Sequence, residues 1–197
     1  MKIYDISQEV FSCKVYPGDP APQKQQLSSM EQGQLYNLTA FSMCAHNGTH
    51  VDAPSHFLEN GTTVDALPLT YTVGPAFVAE ADGEITAETA SEILSLANKK
   101  AAEAAKRILI KGDAVVSEAA AEVFAKAGIF LLGNESQTVG PEDAPMAVHK
   151  ILLSHNVVLL EGIRLREVPE GVYLLSAAPL CLGGADGAPC RAVLIQF

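Results

Sequence analysis

Three of the chain's five histidines fall within the stretch His-Asn-Gly-Thr-His-Val-Asp-Ala-Pro-Ser-His, residues 46–56. Side chains two apart in an extended chain share a face, so His50 and Asp52 can present an imidazole and a carboxylate to one point. Such a pair is half of a coordination shell for zinc or manganese. His46 has the same parity, but four extended residues span about 13 Å, too far for two ligands of one ion. The chain must therefore bend between them, and Gly48, which tolerates positive φ, is where the bend is expected. A helical i, i+4 pair is the other geometry, and Gly48, Pro54 and the β-branched Thr49 and Val51 all oppose it. His56, four residues past Asp52 and beyond Pro54, fits either a further ligand or a proton shuttle beside the ion. The competing reading is a polar surface loop with incidental histidines, and only distant partners would displace it.

His149 and Glu161 are candidates for those partners. A helix over 146–154 rises about 1.5 Å per residue, and a strand over 157–161 returns at about 3.3 Å per residue. Joined by a two-residue turn, the two run antiparallel, which brings the start of the helix beside the end of the strand. Glu161 closes the apolar run VVLLE at the carboxyl edge of that strand, where α/β sheets tend to bind ligands. Taken singly, His149 reads as a helix-surface histidine and Glu161 as an ordinary strand end. Taken with the 46–56 cluster, they supply the missing ligands. His155 lies in the turn and is expected in solvent.

Other chemistries find less support. There is no G-x-S-x-G, and Ser55 lacks a strand-to-helix elbow, so a serine nucleophile is disfavoured. The Gly-rich LGGADGAP at 182–189 does not follow a phosphate-loop pattern. Cys13, Cys44, Cys181 and Cys190 are widely spread with no C-x-x-C pair, which reads as buried or idle thiols in a reducing compartment.

The elements that must position these residues follow from periodicity. Strands are predicted over 2–6, 35–44 and 73–80, with loop at 15–25 and an irregular segment at 45–70 broken by Gly48, Pro54, Gly61 and Pro68. Thr86 or Thr89 can cap a helix reaching about Ala105, and Ser117 opens a second that Gly128 stops. Buried strands are expected over 107–112, 129–133 and 157–161, and further strands over 172–176 and 191–196. Strand–helix alternation from 86 to 161, behind a β-richer N-terminal part, predicts an α/β fold with a mixed sheet. No repeat, low-complexity tract or long linker divides the chain, so a single domain over 1–197 is expected.

Composition narrows the function classes. The 197 residues are 48% apolar and 18% charged, which excludes a disordered chain. No apolar run approaches the roughly 18–20 residues of a membrane span. MKIYDISQEV lacks the basic and apolar regions of a signal peptide, so a cytoplasmic location is expected. With 13 Lys and Arg against 23 Asp and Glu, and a net charge of −10, the chain offers no basic face for nucleic acid.

The 46–56 segment is similar to the H-x-G-T-H-x-D-x-P-x-H signature of the cyclase family of metal-dependent hydrolases, which includes bacterial kynurenine formamidases and isatin hydrolases. KIYDIS at the N-terminus, YPGDP at 16–20, the spacing of His149 and Glu161, and GGADGAPCRAVLI at 183–195 extend the resemblance over nearly the whole chain. It implies a swivelling β/β/α fold, usually homo-oligomeric (a dimer or tetramer), holding one or two divalent ions, Zn or Mn. It also implies that His46, His50 and Asp52 hold one ion and Asp52, His149 and Glu161 a second, with Asp52 bridging and His56 as the catalytic acid/base. A divalent ion lowers the pKa of bound water to near 7 and polarises a carbonyl, and a histidine titrates in the range needed to protonate a departing nitrogen. The implied function is hydrolysis of a small-molecule amide, lactam or lactone; the alternative is a binding protein that kept the ligands without turnover.

Three positions depart from the family pattern. Tyr16 stands where kynurenine formamidases carry a Trp before Pro-Gly-Asp to contact the aryl substrate, and the chain has no Trp at all. Tyr16 could still stack on a ring with less area. Glu135, within GNESQTVGP at 133–141, occupies the place of an expected Asp, and LIKGD at 109–113 lacks the usual Arg-Thr-Gly.

Overall fold

The computed structural model describes residues 1–197. The N-terminal part supplies β1 (Lys2–Asp5), β2 (Gln23–Ser28), β3 (Leu38–Ser42), β4 (His50–Asp52), β5 (Val73–Glu80) and β6 (Gly83–Ile85). Then come α1 (Ala87–Lys100), β7 (Arg107–Lys111), β8 (Ala114–Val116), α2 (Glu118–Lys126), β9 (Leu131–Asn134), α3 (Met146–Ser154) and β10 (Val158–Glu161). The chain ends with β11 (Gly171–Ser176), β12 (Gly187–Pro189) and β13 (Val193–Gln196).

Nine of these strands form one mixed sheet in the order β1-β13-β11-β5-β7-β9-β10-β4-β12. Its centre, β5-β7-β9-β10, is parallel and its two wings are antiparallel. Alternation along the central strands sorts the core into two layers. Phe77, Ile108, Ile110, Leu132 and Leu159 point to the face covered by all three helices, where Ile93, Phe124, Val148 and Leu152 meet them. Val78, Leu109, Leu131 and Leu160 point to the other face. There the sheet curls so that Val51 of β4 and Leu194 of β13, from opposite wings, join one cluster. Fully burying a side chain such as Phe77 or Phe124 is worth roughly 1.5–3 kcal/mol, so these layers hold the sheet that carries the site.

Helix starts are fixed by hydroxyl caps: Thr86 Oγ1 accepts from the Thr89 amide and Ser117 Oγ from the Ala120 amide, both at 3.2 Å. The first helix stops at Lys100 rather than near Ala105. Ala101 turns extended, and Ala104 and Ala105 are instead buried against the sheet in a short 3₁₀ turn. Burial there overrides the helix propensity of an alanine-rich stretch. The 15–25 loop ends three residues early, because Gln23 already pairs with Ser42 in the β2–β3 hairpin. That hairpin belongs to no larger sheet. The segment predicted as irregular contains β4, a full member of the main sheet. No helix is long and apolar enough to cross a membrane.

Candidate metal centre and active site

β4 is three residues long and lies between β10 and β12. Its antiparallel register sets Glu161 opposite His50 and Leu159 opposite Asp52. Opposite residues share a face, so His50, Asp52 and Glu161 rise together on the helix-covered side while Val51 enters the other core layer. α3 closes this side and delivers His149. The His50 Nε2 atom lies 3.3 Å from Asp52 Oδ1 and 3.5 Å from Glu161 Oε2. The His149 Nε2 atom lies 3.2 Å from Glu161 Oε1 and 3.7 Å from Asp52 Oδ2.

His46 enters through the expected bend. Gly48 has φ +69°, and Asn47 Oδ1 accepts the Cys44 amide at 2.8 Å to close the turn before it. His46 Nδ1 then reaches Asp52 Oδ1 at 2.8 Å. Gly187, opposite Asp52 on β12, makes the room: a Cβ there would stand 2.7 Å from His46 Cε1.

The far nitrogen of each buried imidazole is also engaged. His50 Nδ1 donates to the Gly48 carbonyl at 3.0 Å and His149 Nδ1 to the Pro145 carbonyl at 2.8 Å. A carbonyl only accepts, so both Nδ1 atoms carry protons and both Nε2 atoms face the carboxylates, which is the tautomer a metal ligand needs. Three donor sets result, each with ligating atoms within 4.8 Å of one another: His46–His50–Asp52 and Asp52–His149–Glu161, which share Asp52, and the more exposed His46–His56–Asp186. Asp52 Oδ2 is buried and has no hydrogen-bond partner, although the rest of the cluster is densely bonded. A buried, unpaired carboxylate oxygen is costly, and a divalent cation between it, His149 and Glu161 would satisfy it. The donor chemistry, imidazole with carboxylate, suits Zn or Mn.

The electrostatics agree with competition between protons and a cation for these nitrogens. Burial opposes charging His50, but hydrogen bonds and charge from Asp52 and Glu161 outweigh it and bring its pKa up to about 10. Burial opposes charging His149 too, and Glu161, with Asp52 behind it, raises that pKa to about 9. Burial pushes the Asp52 carboxyl up, yet the imidazoles of His46 and His50 hold it well below the usual carboxylate range.

Beside the cluster opens a cavity of about 420 Å³ whose walls include Tyr16, Asp19, Cys44, His56, Phe57 and Thr138. His56 sits at the end of a 3₁₀ turn begun by Pro54, half-buried, its ring stacked on His46 at 4.0 Å between centroids. Phe57 packs on His149 at 4.8 Å. Tyr16 reaches the same cavity and donates its hydroxyl to the Glu142 carbonyl at 2.9 Å. All seven residues singled out from the sequence therefore meet at one place. His155 is exposed and stands apart.

Several participants escaped sequence reasoning. Asp186 accepts from both His46 and His56. Gln137 Nε2 donates to the Gly48 carbonyl at 3.3 Å and braces the bend. Cys44, read as idle, lines the cavity with its thiol 3.8 Å from Asp19. Glu135 plays a structural part: its carboxylate accepts the Gly112 and Leu165 amides and ties loops together outside the cavity.

Comparison with known proteins gives the same direction. A family model described as "Putative cyclase" matches residues 4–141. The chain is 34% identical to a kynurenine formamidase of Salinibacter ruber, over 98% of this chain and 97% of that protein. A solved structure described as a potential metal-dependent hydrolase with cyclase activity is 29% identical, over 98% of this chain and 96% of that one, with a TM-score of 0.80. Isatin hydrolase A from Labrenzia aggregata superposes with a TM-score of 0.84 over 100% of this chain and 94% of its own, and at 20% identity it speaks to the fold alone. Matched over most of its length by the family model, and end to end by these relatives, the chain belongs to the cyclase family.

Proposed function

We propose that this protein is a metal-dependent hydrolase that opens the carbonyl–nitrogen bond of a small aryl formamide or lactam, or the related bond of a lactone. The observation that carries this reading is Asp52, shared by two donor sets whose His46, His50, His149 and Glu161 line a cavity that His56 also lines. A bound divalent ion supplies a polarised carbonyl and an acidified water. His56 has its Nδ1 occupied by Asp186, and its Nε2 has no protein partner. That free nitrogen takes the proton of the attacking water and passes it to the departing nitrogen, so the amide and water become a carboxylic acid and an amine. Phe57 and Tyr16 offer apolar walls for an aromatic ring. The kynurenine formamidase relative supports an aryl amide over other carbonyl compounds.

The ligand set accommodates one or two ions of Zn or Mn, with the second donor set completed by Asp52 Oδ2. The chain works as a homo-oligomer on this reading, because the β2–β3 arm exposes Leu27, Met30, Leu35, Tyr36, Leu38 and Phe41. Only Lys24 and Glu31 carry charge between residues 23 and 42 of a chain whose net charge is −10, so this arm is where two copies meet with least repulsion. A single folding unit over 1–197 fits the pairing of β1 with β13. Four free thiols suit the cytoplasm. The test is turnover of formanilide, isatin and an aryl lactone by protein loaded with Zn or Mn. At least one is hydrolysed, and chelation abolishes it; if neither loaded form hydrolyses any of the three, the reading fails.

A further inference from the structure

The geometry points to Asp186 as a positioning residue that fixes two histidines at once, the ligand candidate His46 and the acid/base His56. One carboxylate oxygen, Oδ2, lies 2.9 Å from His46 Nε2 and 3.1 Å from His56 Nδ1. Between them the two rings stack at 4.0 Å with an interplanar angle of 27°. A carboxylate accepts from both, so His46 is left with Nδ1 toward Asp52 and His56 with Nε2 toward the cavity. Each ring has two nitrogens and a nearly free rotation about its last bond, and the shared acceptor removes that freedom from both in a single contact.

The backbone of Asp186 is held where this requires. Its carbonyl accepts the Ala53 amide at 2.9 Å, one residue beyond Asp52, and Gly187 next to it pairs with Asp52 itself. The dipeptide thus does two jobs at the edge of β4. Gly187 leaves the volume into which the His46 ring fits, and Asp186 holds the ring's outer nitrogen. A carboxylate behind a metal-binding imidazole orients the ring and raises its basicity, and a carboxylate behind a proton-transferring imidazole holds the working tautomer. Here one carboxylate serves both purposes, which ties the ion's position to the acid/base group's aim.

The kinetic side of this inference rests on the hydrolase reading above; its metal-binding side does not. The experiment compares wild type, Asp186→Asn, Asp186→Ala, His56→Ala and the Asp186→Ala/His56→Ala double variant. Zinc affinity is read by competition with a chromophoric chelator, and turnover is followed on whichever of formanilide, isatin or an aryl lactone the wild type hydrolyses. With Asp186→Ala, zinc affinity falls roughly 10- to 100-fold at unchanged stoichiometry. At saturating zinc its kcat falls by a similar factor while KM holds, and the loss disappears in the His56→Ala background. Asp186→Asn, which keeps the volume and an acceptor oxygen, shows a smaller loss of both and guards against misfolding of the alanine variant. Unchanged zinc affinity overturns the orienting role at His46. Loss of a whole zinc equivalent makes Asp186 a ligand and overturns it equally. An Asp186→Ala penalty of the same size with and without His56 overturns the positioning of the acid/base. If the wild type hydrolyses nothing, the hydrolase reading fails while the affinity series still decides the role at His46.

Discussion

His50 and Glu161 stand directly opposite each other on neighbouring antiparallel strands, with His50 Nε2 3.5 Å from Glu161 Oε2. Residues 111 apart in sequence thus become a cross-strand pair, and parity carries Asp52 onto the same face. A slip of one residue in this register would send His50 and Asp52 into the apolar layer that holds Val51. The metal centre is consequently as well specified as the sheet itself.

Asp52 contributes to the His46–His50–Asp52 and Asp52–His149–Glu161 sets, whereas His46 contributes only to the first of these two. Asp52→Ala loses both ions' worth of binding, whereas His46→Ala retains binding at the Asp52–His149–Glu161 set. Elemental analysis of the two purified variants checks this. Equal losses would indicate a single ion held by all five residues.

The raised imidazole pKa values make the metal-free protein sensitive to alkali. His50 titrates near 10 when folded, above its ordinary 6.5. Its contribution to stability is full below 6.5 and is lost as pH rises through about 10. A shift of this size is worth on the order of a few kcal/mol. Chelator-stripped protein therefore shows a falling Tm across that window. Zinc-loaded protein does not, because its imidazoles are already neutral ligands, and zinc affinity climbs as fewer protons need displacing. Melts at several pH values with chelator or zinc measure both effects. A flat Tm for stripped protein would contradict the ion pairing of His50 with Asp52 and Glu161.

Gly187→Ala places a Cβ 2.7 Å from His46 Cε1 and 2.9 Å from the Val51 carbonyl oxygen. The neighbour able to move is the imidazole, so the variant loses affinity at the His46 set and about 1–3 kcal/mol of stability. Thermal melts and zinc titration read the two losses separately. Full zinc affinity in this variant would mean that His46 is not a ligand.

If copies meet through the β2–β3 arm as proposed, Leu38→Asp with Phe41→Asp yields a monomer where the wild type is larger, without unfolding it, since both side chains are exposed within one protomer. Sedimentation velocity distinguishes the species. An unchanged sedimentation coefficient would overturn the arm as an interface.

Much of the site was legible from local spacing. The parity of His50 and Asp52, the bend at Gly48, and the return of the 157–161 strand beside the start of α3 are all short-range geometry. Asp186 was not, because no periodicity links a carboxylate in a Gly-rich loop to His56, 130 residues away; only the pairing of β12 with β4 brings them together. β4 itself is too short to announce a strand among Gly and Pro. β2, reading Gln-Lys-Gln-Gln, hides its extended form because both its faces are largely solvent-exposed and no alternation develops. Ala101–Lys106 misled in the opposite sense, offering helix propensity where burial of Ala104 and Ala105 decided the path.

The most direct measurement is turnover and metal content of His56→Ala beside wild type, both loaded with the same ion. If His56 moves the proton while the five other residues hold the metal, the variant keeps its full metal content and loses roughly 10²- to 10⁴-fold in kcat on the substrate that wild type hydrolyses. Turnover at the wild-type rate with metal in place would show that the proton travels by another route, and would contradict the assignment of His56.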